Sequence, residues 1–309
     1  MIAAAAMLGY AALLLATAPQ LARAGWTDRA PRLAIAAWLA LTYSAVASAV
    51  LAGLAPLIPA HRLGGPLAWL STACEAAVNG HPGGPVLAVA GGVLTAAVAA
   101  RMTWCAAATL AASARASRRH RRRLRLAGHR DERLGALVVD HAEPAAYCLP
   151  GTRQPVVVTT GALRLLDDTQ LAAVVAHERA HQAGRHHLLV ALAALPAAAF
   201  GRVPAFRLAR DEIARLAELA ADDAATARSP RLAVAGALLA LGCSAPARTP
   251  ALGAGGSTAA ARVRRLIAAP DPLSRAASTA GGLAVAALSA FPLVLLAVPA
   301  CCFFRAGYL

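Results

Sequence analysis

The stretch Asp167-Asp168-Thr169-Gln170-Leu171-Ala172-Ala173-Val174-Val175-Ala176-His177-Glu178-Arg179-Ala180-His181 decides how the rest of the chain is read. Asp167 with Gln170 three residues later has the form of a capping box, and Leu171, Val174 and Val175 supply a buried stripe, so an amphipathic helix is expected. Inside that helix, His177 to His181 spells His-Glu-x-x-His. Histidines four apart project from one helical face, where both imidazoles can reach one tetrahedral Zn²⁺. The glutamate beside the first can take a proton from a metal-bound water.

A catalytic zinc site needs a third protein ligand and one open position. Glu218 is the best candidate, because Glu218-Leu219-Ala220-Ala221-Asp222 places Asp222 one turn after it on the same helical face. A ligand histidine usually gives its other N–H to a carboxylate, and Asp222 is placed for that task. Asp223 points about 100° away from Asp222 and is expected to be solvated, in an acidic patch with Asp211 and Glu212. His186 and His187 lie more than a helical turn past His181 and are expected on the substrate side or at an interface. Arg262, Arg264 and Arg265 read as a basic helix face near a membrane, or as a group holding an oxyanion or a substrate carboxylate.

Composition supplies the setting. Hydrophobic residues make up 59% of 309 positions and the mean hydropathy is +0.57, too apolar for an ordinary soluble domain. The formal charge of +15 comes with no lysine at all, and nine arginines fall between Arg115 and Arg133, directly after an apolar run. Such a block beside a span is a topology signal that also suits anionic lipid head groups. Direct nucleic-acid binding is not expected, since aromatic residues for base stacking are only 4% of the chain. The six cysteines form no C-x-x-C pair, so no disulfide framework is expected, and Cys301 and Cys302 read as buried small hydrophobes.

Four apolar runs are candidates for membrane spans: residues 2–18, about Leu33 to Pro59, about Pro85 to Ala112, and about Gly281 to Phe304. The first lacks a basic leader, which favours a retained helix over a cleaved signal peptide. Arg101 interrupts the third and is expected to snorkel or to face the bundle. Arg23, Arg29 and Arg32 follow the first span, whereas Arg62 and Glu75 cancel in the second loop. The positive-inside rule then gives an external N-terminus and a cytoplasmic segment from about Ser113 to Ser278. Leu188 to Phe200 is apolar but short and contains Pro196, so it is expected to be interfacial or packed on the bundle. Ala136 to Asp140 and Pro155 to Thr160 read as strands, with the turn Pro150-Gly151 between them, and Ala245 to Ser257 as a loop.

The expected organisation is a three-span bundle at 1–112, a basic cytoplasmic linker at 113–135, a domain carrying the His-Glu-x-x-His motif at 136–278 and a last transmembrane helix at 279–309. This is a mainly α, multi-pass helical membrane protein with about four transmembrane helices and a cytoplasmic α+β domain, located in the cell membrane.

Tyr147-Cys148-Leu149-Pro150-Gly151, then Val156 to Leu163, then Ala173 to His181 with Arg185-His186-His187, and finally Glu218-x-x-Ala221-Asp222 together resemble the integral-membrane zinc metallopeptidases of the BlaR/MecR type, kin to the HtpX and CAAX-protease group. The resemblance spans roughly residues 145–225. It implies a zincin-like fold, with Zn²⁺ held by His177, His181 and Glu218, Glu178 as base, and Asp222 supporting a ligand histidine. It also implies that the strand at Val156–Thr160 borders the cleft, so Val157, Val158 and Thr159 are expected to bind an extended substrate by strand addition. The implied activity is hydrolysis of peptide bonds in a protein or peptide substrate at the cytoplasmic face, within the lipid bilayer's reach. The alternative is a transducer that binds a BlaI-like transcriptional repressor. The chain ends soon after its fourth span, so no external penicillin-binding sensor domain, and no beta-lactam sensing, is expected.

Overall fold

The computed structural model describes residues 2–54, 84–149, 155–244 and 255–297. The expectations for Arg62 and Glu75, for Pro150-Gly151, for 245–254 and for Cys301 and Cys302 lie outside the described residues. Among the described residues, four helices are long and apolar enough to cross a membrane: α1 (Ile2–Arg23), α3 (Pro31–Leu54), α4 (Gly84–Ala127) and α11 (Arg275–Ala297). A single turn, α2 (Trp26–Arg29), joins the first two.

Helix α3 is the hub, in contact with α1, α4 and α11. Its buried positions, among them Ile35, Trp38, Leu41, Ala45 and Ala52, run the length of the helix, as expected of a segment that is apolar on every side. Gly53 and Gly91 let α3 and α4 touch backbone to backbone, since a Cβ on either would strike the main chain of the other. Proline creates a further tie. Pro292 has no N–H for the Leu288 carbonyl one turn earlier, and Tyr10 and Ser44 both donate hydroxyl hydrogen bonds to that oxygen, at 3.0 and 2.7 Å. The outer face of α4 exposes Val86, Val89, Val93, Leu94, Trp104 and Leu110, a continuous apolar surface.

Helix α4 does not stop with its apolar part. It runs on through most of the arginine block to Ala127, so the expected linker is helical up to that residue. Its second half contains a strand, β1 (Gly128–Asp131), whose polar sequence carries no β-branched signal. The sheet is completed by β2 (Ala136–Val139), β3 (Ala146–Cys148) and β4 (Val156–Thr159), in the order β1-β2-β4-β3. Strands β1 and β2 are antiparallel, β2 and β4 parallel, and β3 and β4 antiparallel. The β1–β2 turn closes at Gly135, whose φ of +58° suits glycine, while the Asp131 carboxylate accepts from the Arg133 and Leu134 N–H groups.

After β4 come α5 (Thr160–Leu165), α6 (Asp168–Ala183), α7 (His186–Ala199), α8 (Pro204–Thr226), α9 (Arg231–Ser244) and α10 (Gly255–Ala268). The capping box at Asp167 and Gln170 is formed, and Leu171, Val174 and Val175 seat α6 on Ala136, Val156 and Val158 of the sheet. Helices α7 and α8 pack on the membrane-like bundle through Ala193, Ile213 and Leu216 against Ile35 and Trp38. The Leu192 carbonyl of α7, left without a helical donor by Pro196, accepts from the Tyr43 hydroxyl at 2.9 Å. Arg101 of α4 donates to the Ala199 carbonyl at the end of α7. Asp28, in the short connection between α1 and α3, accepts from Arg215 of α8 at 2.7 Å, and its carbonyl accepts from Arg265 of α10 at 2.9 Å. Residues 255–257, expected in a loop, open α10 instead.

Candidate metal centre

Helix α6 brings His177 and His181 to one face, and α8 crosses it with Glu218 and Asp222 on the facing side. The Nε2 atoms of the two histidines lie 3.1 Å apart, and Glu218 places Oε2 3.6 Å from the first and Oε1 3.4 Å from the second. One ligand atom from each of His177, His181 and Glu218 falls within 4.8 Å of the other two, a grouping able to hold a metal ion. Two imidazoles and a carboxylate form a donor set that suits Zn²⁺ and leaves a position for water.

The His177 imidazole is fixed from behind. Asp222, 1% exposed, puts Oδ1 3.1 Å from His177 Nδ1. Arg262 of α10 binds the same carboxylate through two hydrogen bonds, of 2.8 and 2.7 Å, and reaches Glu218 at 2.9 Å. The basic stretch is thus split between two tasks: Arg262 lies against the cluster, and Arg265 pairs with Asp223 at 2.7 and 2.9 Å. Asp223 is therefore ion-paired rather than simply solvated. Arg179, between His177 and His181 in sequence, points the other way and donates to the carbonyls of Leu134 and Gly135 at 3.0 and 3.4 Å, tying α6 to the β1–β2 turn.

The electrostatics follow from these contacts. Burial alone would lower His177, but hydrogen bonds to Asp222 and Glu218 outweigh it and raise it from 6.5 to about 9. At His181 burial wins over the attraction of Glu218, helped by repulsion from His177, and lowers it from 6.5 to about 4. Burial would raise Glu218, yet His177, Arg262 and His181 bring it down from 4.5 to about 2. Asp222 is likewise held low by Arg262 and His177 against its burial. Glu178 moves the other way. Its burial raises it, opposed by the charge of His177 and by hydrogen bonds from the Cys148 thiol and backbone N–H. The Cys148 thiol is pushed up to about 12 by burial and by the neighbouring Glu178 charge, which makes it inert as a nucleophile.

Two cavities flank the cluster. One of about 180 Å³ is lined by His177, Glu178 and Arg262 and by apolar side chains including Val174, Val234 and Leu238. The other, about 550 Å³ and more open, lies toward Tyr147, Cys148, His181, His187 and Val190.

The expected role of Val157, Val158 and Thr159 in pairing with substrate does not agree with the strand order. Strand β4 is interior, bonded to β2 on one side and β3 on the other, and all four of its residues are buried. Its backbone has no free edge. The edge nearest the cluster is β3, whose Ala146, Tyr147 and Cys148 line the two cavities. Neither the position of Arg262 nor the burial of His186 follows from the local sequence. Arg262 is distant in sequence from the motif, and its one local signal is the basic run it belongs to.

Residues 111–245 match the family model of peptidase family M48. The M48 peptidases are zinc metallopeptidases, and the match supports a metallopeptidase. It covers the sheet and α5 to α9, and so includes His177, Glu178, His181, Glu218 and Asp222 but not Arg262. Neither a curated protein nor a solved structure matches the chain.

Proposed function

We propose that this chain is a multi-pass membrane zinc endopeptidase that cuts a protein substrate at the cytoplasmic surface of the membrane. The observation that carries the reading is the convergence of His177, His181 and Glu218 on one point, with Glu178 adjacent. A zinc ion held by those three residues would polarise a scissile carbonyl and lower the pKa of a water toward about 7.

The chain's own residues supply the remaining steps. Glu178 accepts the proton of the attacking water and returns it to the leaving amine. Its burial raises its pKa from the ordinary carboxylate value and so brings it closer to the operating pH, which favours that exchange. Asp222 fixes His177 through Nδ1, leaving Nε2 for the metal. An extended peptide pairs with the β3 edge at Ala146–Cys148, and side chains on either side of the scissile bond enter the two cavities.

Membrane location is supported by four candidate spans and by the apolar outer face of α4. The arginines that continue α4 beyond its apolar part favour a cytoplasmic site by the positive-inside rule. Asp28 supports a site close to the bilayer. That residue lies in the connection directly after α1 and binds Arg215, three residues and about 4.5 Å along the helix from Glu218. Metal analysis of the purified full chain tests the reading: one zinc per chain is expected, lost in His181→Ala. Full zinc in that variant would sink the assignment. Comparing the proteomes of cells carrying wild-type and Glu178→Gln protein would identify the substrate.

A further inference from the structure

The two ligand histidines are held differently. His177 is backed by a carboxylate, whereas the atom behind His181 is another imidazole nitrogen, His186 Nδ1, 2.9 Å from His181 Nδ1. His186 is 5% exposed, in the first turn of α7, and its ring meets that of His181 edge-on at 4.8 Å. Five residues along an unbroken helix correspond to about 500° of rotation, which would turn His186 some 140° away from His181. The contact exists because α6 ends at Gly184 and Arg185 takes a left-handed conformation, φ 49° and ψ 37°, which folds the chain back. A Cβ at position 184 would overlap the His186 ring. The far part of α7 is anchored by Tyr43 at Leu192 and by Arg101 at Ala199.

We propose that His186 is a positioning residue for the metal centre, accepting the Nδ1–H of His181 and thereby presenting His181 Nε2 to the ion. This rests on the metal reading given above. With Nε2 of His181 turned toward His177 and Glu218, its only N–H is at Nδ1. The facing His186 Nδ1 must then be the acceptor, so His186 carries its proton on Nε2. The device is the neutral counterpart of the Asp222 contact to His177, and it adds no charge to a centre that already holds Glu218, Asp222 and Arg262.

The test uses the purified full chain, zinc, and cobalt as a spectroscopic substitute. His186→Phe fills the volume without an acceptor, whereas His186→Asn restores an acceptor oxygen near the position of Nδ1. His186→Phe is expected to weaken zinc affinity by about 10- to 100-fold and to alter the cobalt absorption bands. His186→Asn should stay near wild type in both, and His187→Ala should change neither. In the zinc-loaded wild-type chain, ¹⁵N-histidine spectra should show His186 as the Nε2–H tautomer, a readout that needs no variant. Unchanged affinity and cobalt spectrum in His186→Phe, or an Nδ1–H tautomer at His186, would overturn the proposal alone. A wild-type chain that binds no zinc would overturn the parent reading and this one with it.

Discussion

Zinc affinity should depend on pH in a way set by His177. In the metal-free protein Asp222 and Glu218 hold that imidazole protonated up to about 9, yet a metal ligand must be neutral. At pH 7 only about one His177 in a hundred is neutral, so proton competition costs roughly 3 kcal/mol of binding free energy. The competition weakens as pH rises through the folded-state value. Affinity should therefore rise about tenfold per pH unit from 7 toward 9 and then level off, with one proton released per ion at neutral pH. The same contact stabilises the metal-free fold fully below 6.5 and loses its contribution as pH rises through about 9. Asp222→Asn separates two effects of the carboxylate. It removes support for the ligand, worth about 10- to 100-fold in affinity, and it also releases His177 from its proton. The variant should bind much more weakly than wild type at pH 9.5, with the gap narrowing toward pH 7. Chelator competition across this range, with calorimetry in buffers of different ionisation enthalpy to count protons, reads both quantities. Flat affinity between pH 7 and 9 without proton release, or a gap that does not change with pH, would mean that His177 is not held protonated by Asp222.

Three other perturbations probe the surrounding contacts. Cys148→Ala removes a hydrogen bond that lowers Glu178, so the acid limb of a kcat/KM profile should move to higher pH, while Cys148→Ser should restore it. Arg262→Met leaves the carboxylates of Asp222 and Glu218 without their cation, and thermal or denaturant unfolding of the metal-free chain should show a loss of about 3–5 kcal/mol. Gly135→Ala imposes a Cβ on a φ of +58° where the Arg179 side chain also lies, and should destabilise by about 1–2 kcal/mol in the same assay.

What the sequence makes legible here is what helical periodicity carries locally. The spacing of His177 and His181, and of Glu218 and Asp222, fixes which side chains share a face, and the capping box fixes where α6 begins. The four apolar runs are legible for the same reason, since their length is the signal. Strand order is not a local property, so Val157 and Thr159 look the same in sequence whether β4 is an edge or the middle of the sheet; only the pairing of both its sides shows it to be interior. His186 escapes because its contact depends on a break in the helix at Gly184 and Arg185, which a continuous 3.6-residue period does not anticipate. Arg262 escapes because it arrives from α10, forty residues beyond Asp222, and the packing of α10 on α8 is encoded in tertiary contacts alone.

Whether Glu178 serves as the base of a zinc-dependent peptide hydrolysis is decided by comparing purified wild-type and Glu178→Gln chains, both loaded with zinc, on a protein substrate. The prediction is equal zinc content with kcat/KM lower in the variant by about 10²- to 10⁴-fold. Hydrolysis by Glu178→Gln at the wild-type rate, with zinc in place, would contradict it.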